Sequence, residues 1–371
     1  MSTGAPFRLR PLAFADLVGW QDDDPSALLE GLFSCREHIQ NVKPYKTGQL
    51  GLTSEDLLPL LEAARNLSGD AASIRSFFER ETVPFRIERT DGGRGFVTAF
   101  FEPEVQVSHE RDAEFRFPFY RRPNDLVDVD DANRTADFDP TYAFALKTPQ
   151  GLAFYPDRRA IDQGYLEGKG LEIAWARSKV DVFFTHVQGA ARLLFRNGER
   201  RRITYAAKAG HPFSPIGRLL IDRGEIPAAE ISMQAIRDWL IANPDRADEV
   251  LWHNRSYIFF READVADPEK GPIAAAKVPL IAGRSLAVDR FIHTFGYPFF
   301  INASKLTHLD GGQPFARLML AFDTGSAIVG PARGDIFTGS GYEAGELAGT
   351  VRHEADFTIL IPRQAAARFC R

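Results

Sequence analysis

The chain has 371 residues, enough for two domains or for one domain carrying a large insertion. Hydrophobic residues make up 44% and charged residues 26%, an ordinary folded core, and the 30 Phe lean it toward β-structure, because aromatic side chains suit pleated, half-buried surfaces. A formal charge of -5 argues against a nucleic-acid binder, and no apolar run approaches the ~20 residues that span a bilayer. Two cysteines, Cys35 and Cys370, sit at opposite ends and read as free buried thiols rather than a disulfide framework. The opening stretch, MSTGAPFRLRPLAFADL, has neither an apolar signal core nor a lipid-attachment cysteine. That leaves two expectations: a cytoplasmic protein, or one whose export signal was replaced by a Met.

In chain order, residues 10–80 read as helical. Apolar periodicity predicts helices over Ser26 to Ile39 and Ser54 to Leu67, followed by DAASIRSFFERE. Thr53 and Asp56 have capping-box spacing, and Trp20 reads as a packing anchor. From Val83 the pattern changes to strands: FRIERT and GFVTAFFEP around Asp91 to Gly93 predict a hairpin. The charged stretch His109 to Asp139 reads as a long surface excursion. YAFALK and LAFYP around 148–151, and ARLLFR and RRRITYA around Asn197-Gly198, predict two more hairpins. Helices are expected at Ile216 to Arg223 and Ser232 to Ala242, the second ended by Asn243-Pro244. RSYIFFRE, YPFFIN, RLMLAFD and DFTILIP return to strands. The order predicts a mainly β protein with helices: a barrel-type domain from both chain ends, 1–104 and 243–371, with a smaller β-domain inserted at 105–242.

Several motifs imitate chemistry they cannot complete. MLAFDTGS (319–326) resembles an aspartic-protease loop, but that reaction needs two such loops sharing a proton, and there is no second Asp-Thr/Ser-Gly. Eight scattered His include no pair at i, i+4, and the acidic run Asp128, Asp130, Asp131, Asn133 lacks the glycine of a calcium loop, so no metal is expected. Gly339, Gly341 and Gly345 lack dinucleotide spacing, and no Walker-type lysine accompanies them. What remains is a carboxylate pair, Asp323 and Asp335, twelve residues apart in Gly-rich sequence beside apolar runs. On residue types alone, a shared cleft and a pair of turns are equally good readings.

Eight blocks then occur in order: TAFFEP (98–103), DVFFTHVQG (181–189), GHPFSPIGRLLIDRGEI (210–226), MQAIRDWL (233–240), SYIFF (256–260), GRSLAVDR (283–290), AFDTGSAIVGPARGDIFTGSG (321–341) and EAGELAG (343–349). Together they resemble the membrane-bound lytic transglycosylase A family of bacterial murein-degrading enzymes, over nearly the whole chain. The resemblance implies a double-psi β-barrel built from both chain ends, a smaller inserted β-barrel, and a substrate groove between them. It implies Asp335 as catalytic acid and Asp323 as a supporting acid. It places Thr98, Phe100, Gln188, Gly189, Asp289 and Gly325 among the substrate-binding residues, with Gln188-Gly189 on a groove-facing strand. The chain departs from the family pattern at Ala99, Phe100 and Phe101, at Ala190-Ala191, and at Ser326 after Gly325, losing two hydroxyls and some close backbone approach.

The implied reaction cleaves the β-1,4 bond between N-acetylmuramic acid and N-acetylglucosamine without water, the muramic C6 hydroxyl closing a 1,6-anhydro ring. Ordinary glycosidases need two carboxylates. A tethered hydroxyl reacts with effective molarities of ~10⁵ M or more, so one acid can serve twice. That acid must be protonated near neutral pH, and burial beside Ile336 and Phe337 or repulsion from an ionised Asp323 are the expected causes. No cofactor is expected. Glycan strands are the expected partner, with other cell-wall enzymes as further partners and a monomer as the expected state. The expected location is the periplasm, in association with the outer membrane. The competing expectations are a non-catalytic wall-binding or wall-loosening double-psi barrel and a hydrolysing muramidase.

Overall fold

Residues 7–136, 138–263 and 270–369 are described by a computed structural model, and Cys370 lies outside them. β1 (Phe7–Pro11) leads to α1 (Leu28–Asn41), α2 (Ser54–Ala64) and α3 (Ala71–Glu81). The capping box at Thr53 forms: Asp56 N–H donates to Thr53 Oγ1 at 3.1 Å, and Thr53 N–H donates to the Asp56 carboxylate at 2.9 Å. Two otherwise unpaired amides are satisfied, which is why α2 starts there. Trp20 is the packing anchor expected, its ring against Phe14 and Phe300 and its Nε1 donating to Glu79 at 2.7 Å. Cys35 is buried among the same apolar side chains, and that burial pushes its thiol up to about 12.

Next come β2 (Thr82–Arg89) and β3 (Gly95–Glu102), then β4 (Glu104–Ser108), β5 (Phe117–Tyr120), β6 (Leu126–Asp128), β7 (Phe144–Thr148) and β8 (Gly151–Ala153). A short α4 (Arg158–Ala160) precedes β9 (Glu172–Ala176), α5 (Lys179–Gln188), β10 (Ala190–Phe195) and β11 (Arg200–Lys208). Then follow α6 (Ile216–Asp222), α7 (Met233–Ala242), α8 (Pro244–His253) and β12 (Ile258–Ala263). The chain ends through β13 (Ser285–Val288), β14 (Pro298–Ala303), β15 (Phe315–Asp323), β16 (Arg333–Ser340), α9 (Tyr342–Gly349), β17 (Arg352–Pro362) and α10 (Arg363–Ala366).

These elements form two units, Met1–Phe101 with Asp267–Arg371, and Glu102–Ala266. The chain crosses back later than the 242/243 boundary expected from sequence, because α8 and β12 belong with the inserted unit. β12 pairs with β11, and that pairing, not the Asn243-Pro244 break, decides where the unit ends.

In the first unit, β17, β14, β15, β13, β16 and β3 follow one another around a ring, and β3 pairs back onto β17. Closure leaves this ring with no open edge. Its core is apolar, with Phe299, Phe300, Leu318, Leu320, Ile336 and Ile359 all buried. β2 and β3 are not the hairpin that the Asp-Gly-Gly turn predicts. Both lie antiparallel on the same edge of β17, Thr82 to Arg86 against one half and Gly95 to Thr98 against the other. The turn offsets the chain without reversing it, and an eleven-residue β17 gives both strands a partner.

The inserted unit has a six-stranded sheet in the order β12-β11-β10-β4-β9-β5, whose last strand returns toward the first through a bridge from Arg121 to Phe260. The hairpins expected at Asn197-Gly198 and at 148–151 form, as β10–β11 and β7–β8. The stretch 109–139 is not simply a surface excursion. It contributes β5 and β6 and buries Phe115, Phe119, Tyr120 and Leu126. Its charges mask a strand pattern only three or four residues long.

Candidate active site

β13 is four residues long and lies between β15 and β16. Its Ala287 is the register partner of Asp335 on one side and of Asp323 on the other. The second pairing depends on a bulge. Leu286 faces Ala321, and the register then skips Phe322, which brings the acid level with Ala287. Bulges re-aim side chains in this way. The two aspartates therefore stand on strands either side of one methyl side chain, their Cα atoms roughly 9–10 Å apart by the spacing of neighbouring strands.

Asp335 is half-buried, and Thr98 Oγ1 donates to its Oδ1. Arg333, two residues earlier on β16, donates from Nη2 to the same Thr98 oxygen at 2.6 Å and from Nη1 to the Gly334 carbonyl. Phe100, two residues beyond Thr98 on β3, packs on Phe337 with ring centroids 5.3 Å apart, and its carbonyl accepts from Thr338 at 3.1 Å. Burial raises the Asp335 carboxyl above the usual carboxylate range, against the opposing pull of the Arg333 charge and the Thr98 hydrogen bond. Asp323 is pushed up to about 6, first by burial, with repulsion from Asp335 adding to it. Amide hydrogen bonds from Ala275, at 3.0 Å, and Thr324 oppose that shift, as does Lys277. The expectation of an ionised Asp323 tuning its neighbour thus needs correction: both acids are raised, and burial comes first in each.

The segment carrying Ala275 is a tight turn in which Lys277 has φ 64, the one non-glycine in the left-handed region among the described residues. Such strain is held only where the surroundings over-determine it. Here the Ala276 amide is tied to the Phe322 carbonyl and the Lys277 amide to that of Ala274.

The loop between the acids is fastened from below. Asp289 is buried, and its two oxygens accept from the amides of Phe291 at 3.0 Å and Gly330 at 2.8 Å. Its carboxylate therefore holds backbone, where the resemblance implied a glycan contact. His293 Nε2 bonds the Pro331 carbonyl at 2.8 Å, and burial pushes the ring down to about 4, so it stays neutral at pH 7. Gly325 opens the turn in which the Ile328 amide meets its carbonyl at 2.9 Å.

Gln188 and Gly189 belong to the inserted unit, and they are not on a strand. They end α5, which Ser178 caps by accepting from the amides of Val180 and Asp181. Gly189 adopts φ +80 and donates to the Thr185 carbonyl at 2.8 Å, a left-handed helix stop that glycine provides without strain. Gln188 Nε2 lies 3.8 Å from Met233 Sδ. Ser178 before an apolar run and Gly189 after it were the sequence signals for this helix. Arg333 and Ala287 were also missed, since only register shows what they touch. Among the described residues, no group of three or more His, Cys, Asp or Glu side chains is placed to hold a metal ion. No helix among them is long and apolar enough to cross a membrane.

A closed six-stranded barrel with two acids flanking one strand, interrupted by a β-unit of its own, places the chain among double-psi β-barrel proteins with an inserted β-domain. Residues 96–261 match the MltA specific insert domain, and residues 284–361 match the 3D domain. The chain is 32% identical over 332 residues to the membrane-bound lytic murein transglycosylase A of Escherichia coli K12, covering 87% of this chain and 79% of that protein. The crystal structure of a membrane-bound lytic murein transglycosylase from Agrobacterium tumefaciens superposes with a TM-score of 0.94 at 63% identity, covering 98% of this chain and all of that one — within the same family, E. coli MltA with bound chitohexaose gives 0.67 at 27% identity, covering 96% and 95%. This chain belongs to the membrane-bound lytic murein transglycosylase A family.

Proposed function

We propose that this chain is a peptidoglycan lytic transglycosylase in which Asp335 acts as the only acid and base. It cleaves the β-1,4 bond between N-acetylmuramic acid and N-acetylglucosamine and leaves a 1,6-anhydromuramic end. The observation that carries the assignment is a half-buried carboxyl, raised by burial and held by one hydroxyl donor, at the level where β3, β13 and β16 meet. A raised carboxyl holds its proton to higher pH than an ordinary aspartate does, and so can protonate the leaving glycosidic oxygen. The muramic C6 hydroxyl then attacks C1, and the Asp335 carboxylate takes its proton, so the acid ends each turnover as it began. Asp323 supports the site without touching the scissile bond: the Ala275 amide fixes its position level with Asp335 across Ala287. Thr98 and Phe100 line the same site, Asp289 positions the loop between the acids, and Gln188 and Gly189 contact glycan from the inserted unit. The substrate is the glycan strand of murein, as the chitohexaose bound to E. coli MltA suggests for a relative. The protein works as a periplasmic monomer associated with the outer membrane, with other cell-wall enzymes as further partners.

Purified sacculi test this. Wild type should release soluble anhydro-muropeptides, and Asp335→Asn should release at least about 10²-fold fewer at unchanged secondary structure. Undiminished product from the variant would sink the assignment. A wall-binding protein would sediment with sacculi and release nothing, and a muramidase would give products one water heavier by mass spectrometry.

A further inference from the structure

The proton on a carboxylic acid can sit on either oxygen, and only one position faces a leaving group. Thr98 Oγ1 has two recorded partners, Arg333 Nη2 and Asp335 Oδ1. A guanidinium carries donors and no acceptor, whereas a hydroxyl carries one hydrogen and two lone pairs. Arg333 must therefore donate to Thr98 and occupies one of its lone pairs, and the single Thr98 hydrogen donates to Asp335 Oδ1. The guanidinium is itself fixed by its second bond to the Gly334 carbonyl and by the Phe96 ring, 5.8 Å away. Arg333 and Asp335 are two residues apart on one strand, so both project to the same face, with Thr98 reaching between them from β3.

We infer that Arg333 is a positioning residue that turns the Thr98 hydroxyl onto Asp335 Oδ1 and so leaves the transferable proton on Oδ2. This rests on Asp335 being the acid of the proposed reaction. No new step is added: Oδ2 gives up one proton to the leaving oxygen and recovers one from the C6 hydroxyl. In between, the carboxylate keeps the Thr98 hydrogen bond and the nearby Arg333 charge, which stabilise the anionic form that must act as base. The device also explains why a cation stands next to an acid that has to be protonated. Burial supplies the upward shift, and the Arg333 charge opposes it.

The charged and titratable groups around Asp335 are few. β16 brings Arg333, β3 brings Thr98, and β13 brings Ala287 with no titratable side chain. β15 brings Asp323, with Lys277 acting on it from the preceding turn. α9, against β16, carries Glu343 and Glu346 on its exposed side, and β17, beside β3, carries Arg352, His353, Glu354 and Asp356. Removing the Arg333 charge or the Thr98 donor should raise the Asp335 carboxyl, so the limb along which activity falls with rising pH should move to higher pH.

The experiment follows kcat and KM against pH for anhydro-muropeptide release by Thr98→Val, Thr98→Ser, Arg333→Met, Arg333→Lys and the Thr98→Val/Arg333→Met double variant, each checked for folding by thermal unfolding. Thr98→Val and Arg333→Met should each lower kcat about tenfold or more with KM little changed, and both should move the falling limb to higher pH. Thr98→Ser and Arg333→Lys should recover most of the rate. The double variant should lose no more than the worse single variant, because Arg333 acts through Thr98. Losses that multiply, or a falling limb that stays in place, overturn the inference. If Arg333→Met does not fold, Arg333→Lys measured with and without Thr98→Val reads the same coupling. Asp335→Asn separates the two failures: an active Asp335→Asn removes the proposed function itself, while an inactive one with an unmoved limb removes only the role of Arg333.

Discussion

Glu102 in the inserted unit and Asp335 in the barrel unit are acids handled in opposite ways. In the inserted unit, the Glu102 side chain is fully buried, and it accepts from Arg202 at 2.9 Å and from Arg192 at 3.0 Å. Arg158, also buried, donates to the carbonyls of Asn254 and Ser256 and lies over the rings of Phe183 and Tyr257. In the barrel unit, Asp335 meets one hydroxyl and reaches its nearest cation only through that hydroxyl, and Asp323 is held by amides. Direct partners hold the Glu102 and Arg158 side chains in place and organise a core. Charge left short of partners is pushed toward its neutral form, which is what proton transfer near pH 7 needs.

The strongest way to break this comparison is to unmatch the inserted unit. Glu102→Gln leaves two guanidiniums without their carboxylate and should cost about 3–5 kcal/mol in urea unfolding. A loss under about 1 kcal/mol would mean that the buried triad is not what holds that unit together. The opposite outcome is expected in the barrel. Asp323 has a folded-state value raised from 3.8 to about 6, so the stability it contributes is present at low pH and lost as pH rises through about 6. Asp323→Asn keeps an acceptor for the Ala275 amide and removes that loss. The variant should equal wild type near pH 4 and exceed it at pH 8 by up to about 3 kcal/mol, at 1.36 kcal/mol per pH unit. Urea unfolding at both pH values decides the matter, and a variant that is less stable at pH 8 refutes the reading. The smallest effect concerns backbone alone. Gly189→Ala should cost about 1–2 kcal/mol for its left-handed conformation, while Gly189→Asn should cost less. Equal losses for the two would point to steric crowding, although no heavy atom lies within 4 Å of the missing Cβ.

Much of the local structure was legible. Thr53 and Asp56 declared a helix start, Asn197-Gly198 declared a hairpin, and eight blocks in order carried the family. Local signals failed where two structures share them. Asp91 to Gly93 makes a real turn, but whether the chain reverses depends on β17, more than two hundred residues away. The resemblance put Gln188 and Gly189 on a strand, although the cap at Ser178 and the glycine after the run mark a helix.

The sequence by itself determined which residues could do the chemistry: two aspartates in a Gly-rich segment, a threonine in TAFFEP, and a family that joins them. The tertiary structure decided how they act. A skipped residue in β15 brings Asp323 level with Asp335 across Ala287, and the pairing of β3 beside β16 places Thr98 between Arg333 and the acid. Register, bulges and burial are properties of strands that meet from distant parts of the chain. They set a carboxyl's charge, and no stretch of sequence around Asp335 contains them.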